Sequence, residues 1–327
     1  MTQLSILELG RVREGSDRRT ALNEARDLAV HAERLGYQRF WVAEHHNMAA
    51  VTTAATSLVI QHIVAATHTI RVGAGGVMLP NHAPYVIAEQ FGTLATLYPD
   101  RIDLGLGRAP GTDQMTLRAL RRNPASSDHF PQDVVELQSY LGPLQPGQRI
   151  EAVPGSNTNV PLWILGSSLF GAQLAAELGL PYGFASHFAP QALDDALRIY
   201  RERFKPSAQL SEPYVLIGTN VIAAETDDEA RWLHTSQQMS FASLVRGQRN
   251  LMLPPIDNID DYWSPAEKAQ ASQMLECSTV GSPATVKAGL DKLVARTQAD
   301  ELMIVSDMFD PVKRFRSVEI ISEVMGR

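Results

Sequence analysis

One cysteine in 327 residues, Cys277, excludes an internal disulfide and any cysteine-built metal cluster. It reads as a small residue of a loop or the core. No apolar run approaches membrane-spanning length, and no basic segment followed by an apolar run opens the chain, so a soluble, cytoplasmic protein is expected. Positive charge is not in excess either. A net charge of −7, spread along the chain, argues against nucleic acid or an anionic membrane as the main partner. There is no repeat beyond a βα rhythm, no low-complexity tract and no composition break to mark a linker. Residues 1–327 are therefore read as one domain, although a 44% apolar content would allow one large core or two ordinary ones.

What is present is an alternation of short apolar strands and amphipathic helices. The stretch from Arg71 to Gly111 displays it most fully. Arg71 to Leu79 is a β-branched, glycine-rich strand with Gly75-Gly76 inside it, cut by Pro80. His82 to Tyr98 follows as a helix with Ile87, Phe91, Leu94 and Tyr98 on one face, and Ile102 to Gly107 is the next strand, with Arg108 at its end. Other strands are expected at Leu4 to Leu9, Phe40 to Ala43, Pro161 to Leu165, Tyr182 to Ala185, Tyr214 to Ala223 and Glu301 to Val305. Eight strands, nearly all followed by a helix, predict an α/β chain closed as a (β/α)₈ barrel rather than a doubly wound sheet. From about residue 226 to 279 the rhythm stops, which predicts an insertion before the last βα unit, beside the barrel mouth, with LMLPPIDNIDDYWSP inside it read as a loop.

Several strands end in polar groups. In a barrel of this kind the active site lies at the C-terminal strand ends, so the candidates are Glu44-His45-His46, Gly75-Gly76, Arg108, Ser167-Ser168 and His187. Gly166-Ser167-Ser168 opens onto a helix and offers free N–H groups, two hydroxyls and the positive end of a dipole, which suits a phosphate that Arg108 can pair. Each has a plainer reading. Ser167-Ser168 is equally an ordinary helix N-cap, Arg108 equally an ion-pair partner of a carboxylate, with Arg101-Asp103 expected as a purely structural pair, and Gly75-Gly76 equally a relief of crowding. His45 and His46 are metal-ligating types, but neighbours on a strand point to opposite faces and no further ligand stands at metal spacing, so no metal site is expected. GLGRAPG misses the dinucleotide fingerprint, and no lysine at a strand end supports Schiff-base chemistry on a phosphosugar.

AEHHN at the second strand, VGAGGVMLPNHAP at the third, AEQFGTLATLYPDRIDLGLGRAPG through the fourth and ILGSSLFGAQLAAELGLP at the fifth resemble the luciferase-like flavin monooxygenases. The resemblance runs from about Leu4 to the last helix and is closest to the alkanal-monooxygenase-like members. It implies a (β/α)₈ barrel that takes reduced FMN from a separate NAD(P)H:flavin reductase and, with O₂, oxygenates a small organic substrate, with the protein a homodimer. It further implies that His45 aids the flavin–oxygen chemistry and that Gly75-Gly76 forms a cis peptide against the flavin ring. Arg108 and Ser168 would bind the phosphate, and Glu44 and Ser167 would line the flavin. Met78, His82, His187, Phe188 and the insertion would form the substrate pocket. Two positions depart from luciferase itself: Gly171 replaces a threonine on the phosphate and Gly107 a cysteine near the flavin. An F420-dependent oxidoreductase and a flavin-binding protein without turnover are the competing functions.

Overall fold

The computed structural model of the protein describes residues 2–326. The elements in order are β1 (Gln3–Glu8), α1 (Arg18–Arg34), β2 (Arg39–Val42), α2 (Thr56–Val64), β3 (Arg71–Met78), α3 (Pro84–Leu97) and β4 (Ile102–Gly107). There follow α4 (Gln114–Ala119), α5 (Phe130–Leu141), β5 (Leu162–Gly166), α6 (Leu169–Leu178), β6 (Tyr182–Phe184), α7 (Leu193–Arg203) and β7 (Val215–Ala223). The chain ends with α8 (Asp227–Val245), α9 (Pro265–Met274), β8 (Thr279–Gly281), α10 (Pro283–Thr297), β9 (Glu301–Val305) and α11 (Pro311–Val324).

The strands pair in the order β6-β5-β4-β3-β2-β1-β9-β7, and β6 also pairs with β7, so eight parallel strands close into a barrel. This is the expected (β/α)₈ architecture. Local chemistry positions its helices: Asp17 caps α1 by accepting from the Thr20 N–H at 2.8 Å, and Asp310 caps α11 by accepting from Val312 N–H at 2.8 Å. Gly179 ends α6 with φ +63°, where a Cβ would come 2.4 Å from the Lys205 carbonyl oxygen.

Outward-facing strand residues such as Ile6, Phe40, Val72, Leu104 and Ile164 pack against the helices in one core. Inward-facing ones form layers. At the N-terminal end the layer is ionic: Asp103 accepts from Arg39 at 2.8 Å, from Arg71 at 2.6 Å and from Trp41 Nε1 at 3.1 Å, while Glu301 accepts from Arg39, Tyr214 and Ser5. The expected Arg101–Asp103 pair does not form. Arg101 precedes β4 and turns outward to the Ile70 carbonyl and the Thr67 hydroxyl, whereas Asp103 points into the barrel, where arginines of β2 and β3 reach it. Above this layer Leu7, Trp41, Trp163, Leu216 and Met303 fill the barrel, and the C-terminal end is left open.

The span from 226 to 279 contains the expected loop, residues 251–264 with only a single turn at Ile259–Asp261, but it is not loop throughout. It holds the 19-residue α8 and the ten-residue α9, with a small core of its own from Phe241, Ala242, Trp263, Ala271 and Leu275. The mixed polarity of α8, in which Thr235, Ser236 and Gln237 are buried, hides its helical period in the sequence. β8 pairs with the end of β7, outside the barrel.

Candidate active site

A cavity of about 880 Å³ opens at the C-terminal ends of the barrel strands, roofed by α8 and residues 248–253. Among the expected site residues, His45, Gly75, Gly76, Met78, Arg108, Ser167, Ser168, His187 and Phe188 line it. Glu44 and His82 do not. The pleat that turns Trp41, Ala43 and His45 inward sends Glu44 and His46 to the opposite side of the wall.

Behind that wall Glu44, only 1% exposed, is the acceptor of a compact cluster. Its Oε1 accepts from His46 Nε2 at 2.7 Å and His82 Nε2 at 2.8 Å, and its Oε2 from the Met78 N–H at 3.1 Å. Burial pushes its carboxyl up, but the bonds from the two imidazoles outweigh this and hold it below the ordinary glutamate value. Glu44 therefore anchors the cavity wall at Met78 instead of lining a ligand, and His82 is part of the anchor instead of the pocket. The sequence also gave no third neighbour for the histidines. The fold supplies one, since the ligating atoms of Glu44, His46 and His82 lie within 4.8 Å of one another.

The Gly75–Gly76 peptide bond is cis, at a register shift between β3 and β4. A Cβ on Gly75 would lie 2.7 Å from Leu7 Cδ1, and one on Gly76 2.7 Å from the Gly105 carbonyl oxygen. Crowding alone demands glycine here, and the flat surface that results faces the cavity. At Gly107 a Cβ would meet only the flexible end of Met78, 2.9 Å from its Sδ.

Across the cavity, α6 starts at Ser168 with no side-chain cap, so its first-turn N–H groups are not satisfied by a capping hydroxyl. The Arg108 guanidinium stands 4.1 Å from the centroid of the Phe170 ring on that first turn, with no carboxylate bonded to it among the described residues. The ordinary N-cap and ion-pair readings of these residues are thus both absent. What remains is a cation, free N–H groups and two serines at one end of a cavity, a donor set that fits a phosphate.

His45 is half-buried, and burial and then the charge of Arg11 lower its pKa. Burial, with His45 second, pushes the His187 imidazole down to about 4. Both rings are neutral near pH 7. The cavity residues that escaped the sequence reading include Arg11 after β1, Asp307 after β9, Asn220 on β7 and Gln237 on α8. Arg11 Nε donates to Asp307 Oδ2 at 2.7 Å, and Gln237 Nε2 to Asn220 Oδ1 at 3.0 Å. Polar residues just past a strand end were the available signal for Arg11 and Asp307, the signal already used at Arg108. At the mouth, Arg249 donates to the Asn47 carbonyl at 2.6 Å and to Asp113, tying the insertion to the β2 and β4 loops.

The family model of luciferase-like monooxygenases matches residues 2–301. The chain belongs to the luciferase-like monooxygenase family. A luciferase-like monooxygenase of Escherichia coli (strain K12) is 50% identical over 321 residues, 98% of this chain and 96% of the relative. The crystal structure of apo-MsnO8 superposes with a TM-score of 0.89 at 35% identity, covering 99% of this chain and 98% of that one. The oxygenating constituent of 3,6-diketocamphane monooxygenase from Pseudomonas putida, solved in complex with FMN, has a TM-score of 0.75 at 16% identity, covering 98% and 97%. That last likeness speaks for the luciferase-like monooxygenase barrel as a fold. Among the described residues no helix is long and apolar enough to cross a membrane.

Proposed function

We propose that this luciferase-like monooxygenase takes reduced FMN from a separate flavin reductase and uses it, with O₂, to add one oxygen atom to a small organic substrate. The observation that carries this reading is the shared cavity: Arg108 and the uncapped start of α6 lie at one end, and His45 and the cis Gly75–Gly76 face line the same space. Reduced FMN, when bound, supplies the electrons and activates the oxygen. The chain supplies the rest. Arg108, Ser167, Ser168 and the α6 N–H groups would hold the phosphate, and the side-chain-free Gly75–Gly76 surface would let a flat ring approach closely. His45, neutral near pH 7 and lining the same cavity, would accept or return a proton through its imidazole. The Arg249 tie and the α8 roof limit entry of water.

The test is aerobic turnover of a compound panel with FMN, NADH and a generic flavin reductase, read by a mass gain of one oxygen atom in product. The same panel with reduced F420 and no O₂ is the control. Substrate reduction in the control, with no oxygenated product from FMN, would transfer the protein to the deazaflavin chemistry. Sedimentation of the protein alone and with the reductase tests the homodimer and the electron-donor partner that this reading carries with it.

A further inference from the structure

Beyond the flavin-facing end, the cavity wall is apolar: Met48, Val51, Met239, Phe241, Leu251 and Leu253 line it. The lining also carries charged side chains, Arg11, Asp307, Asp128 and Arg249 among them. Arg11 and Asp307 follow the C-terminal ends of the adjacent strands β1 and β9, and their ion pair is formed through Nε alone, at 2.7 Å. The two Nη groups of Arg11 make no hydrogen bond among the described residues, and neither does Asp307 Oδ1. The pair is thus neutral as a unit yet presents unused donors, and Asp307 itself is only 3% exposed.

We propose that the Arg11–Asp307 pair binds the polar head of an uncharged substrate, a carbonyl or hydroxyl oxygen accepting from the Arg11 Nη groups while an apolar body lies against the wall. Only the identity of the reaction at that head rests on the flavin monooxygenase reading. Two charges compete for Arg11 if the ligand is a carboxylate. Either the carboxylate sits against the Asp307 carboxylate, a like-charge contact, or it draws Arg11 away and strands Asp307, buried and unpaired; both outcomes are unfavourable. A neutral oxygen raises neither difficulty. Its hydrogen bond with a charged donor is of the stronger kind. The remaining charged side chain on the insertion side, Arg249, is taken up by Asp113 and the Asn47 carbonyl.

The test is binding to the flavin-free protein, by calorimetry or competition NMR, of three probes. They are methyl hexyl ketone, the alkene in which a methylene replaces its carbonyl oxygen, and octanoate. In the wild type the ketone is expected to bind and octanoate not to. Arg11→Met should lower the ketone-to-alkene affinity ratio about tenfold, and Asp307→Asn, which leaves Arg11 uncompensated, should admit octanoate. Octanoate as the tightest wild-type ligand, or a ratio unmoved by Arg11→Met, overturns the proposal. If Arg11→Met does not fold by circular dichroism, Asp307→Asn decides, and no gain of octanoate binding there counts against the pair. FMN titration of the same preparations separates the two readings. In the wild type, FMN binding without a ketone preference removes the head-group site alone, and a ketone preference without FMN binding removes the cofactor reading alone.

Discussion

The guanidinium carbon of Arg108 stands over the Phe170 ring, 4.1 Å from its centroid, so that the first turn of α6 holds it beside the helix's uncapped start. A strand end and a helix start thereby form one anion site, and among the described residues no carboxylate is bonded to Arg108. Arg108→Ala is expected to weaken FMN far more than riboflavin. A charge-assisted hydrogen bond contributes roughly 1.5–3 kcal/mol, so the FMN affinity should fall about ten- to a hundredfold. Fluorescence titration with each flavin measures the difference, and equal weakening of both would remove the phosphate assignment.

His45 is set apart from its neighbours by facing the cavity. His45→Ala should leave the thermal midpoint and FMN affinity close to wild type while oxygenated product falls by about a hundredfold or more, the scale of lost proton transfer. Because burial and Arg11 lower the His45 pKa, the acid limb of the wild-type rate profile should lie below the ordinary imidazole value of about 6.5. A variant that oxygenates at the wild-type rate would show that the residue has no such role.

His187 predicts an acid-labile fold. Its folded pKa is about 4, with its Nδ1 buried and unpartnered, against about 6.5 when unfolded. The unfolded chain therefore takes up a proton that the folded one refuses. Stability is full above the unfolded value and declines as pH falls from there toward the folded one, by about 2 kcal/mol between pH 7.5 and 5. Urea midpoints at the two pH values should differ less in His187→Asn than in wild type. His234, also pushed down to about 4 by burial, acts with the same sign and remains in that variant.

At the opposite end of the barrel, Asp103→Ala removes the acceptor shared by Arg39, Arg71 and Trp41. Breaking a buried pair by deleting one partner costs about 3–5 kcal/mol, which should appear as a lowered urea midpoint with an unchanged slope. FMN affinity should not change, because the ionic layer and the cavity are separated by the Trp41–Trp163 layer.

Glu44 gives the cavity wall its firmness. Glu44→Ala would leave two imidazoles and the Met78 N–H without their acceptor, a loss of about 2–4 kcal/mol that should raise amide exchange at Met78 more than at residues of β7. Uniform exchange changes across the barrel would argue that the cluster does not hold that wall.

Much of this was legible before folding. The order of strands and helices follows from patterns a few residues long. So does the clustering of polar groups at strand ends, which marked Arg108, Ser167 and Ser168 for one rim. The helical insertion was not legible, because α8 buries Thr235, Ser236 and Gln237 and so shows no clean apolar stripe. Arg11 was lost for a similar reason: it stands in a charged loop, RVREGSDRRT, and nothing local separates it from Arg13.

By itself the sequence determined a chain of βα units with chemistry at one end of each strand, because hydrophobic period, caps and turns act over a few residues. Only the tertiary structure decided which side of the wall each group faces. A strand buried on both faces has no polar side to label, so alternation alone cannot say whether His45 or Glu44 points inward. It also decided which distant groups meet. Barrel closure brings Arg11 to Asp307 and His82 to Glu44, and such pairings are fixed by the register of neighbouring strands and loops, not by any property of the residues taken in order.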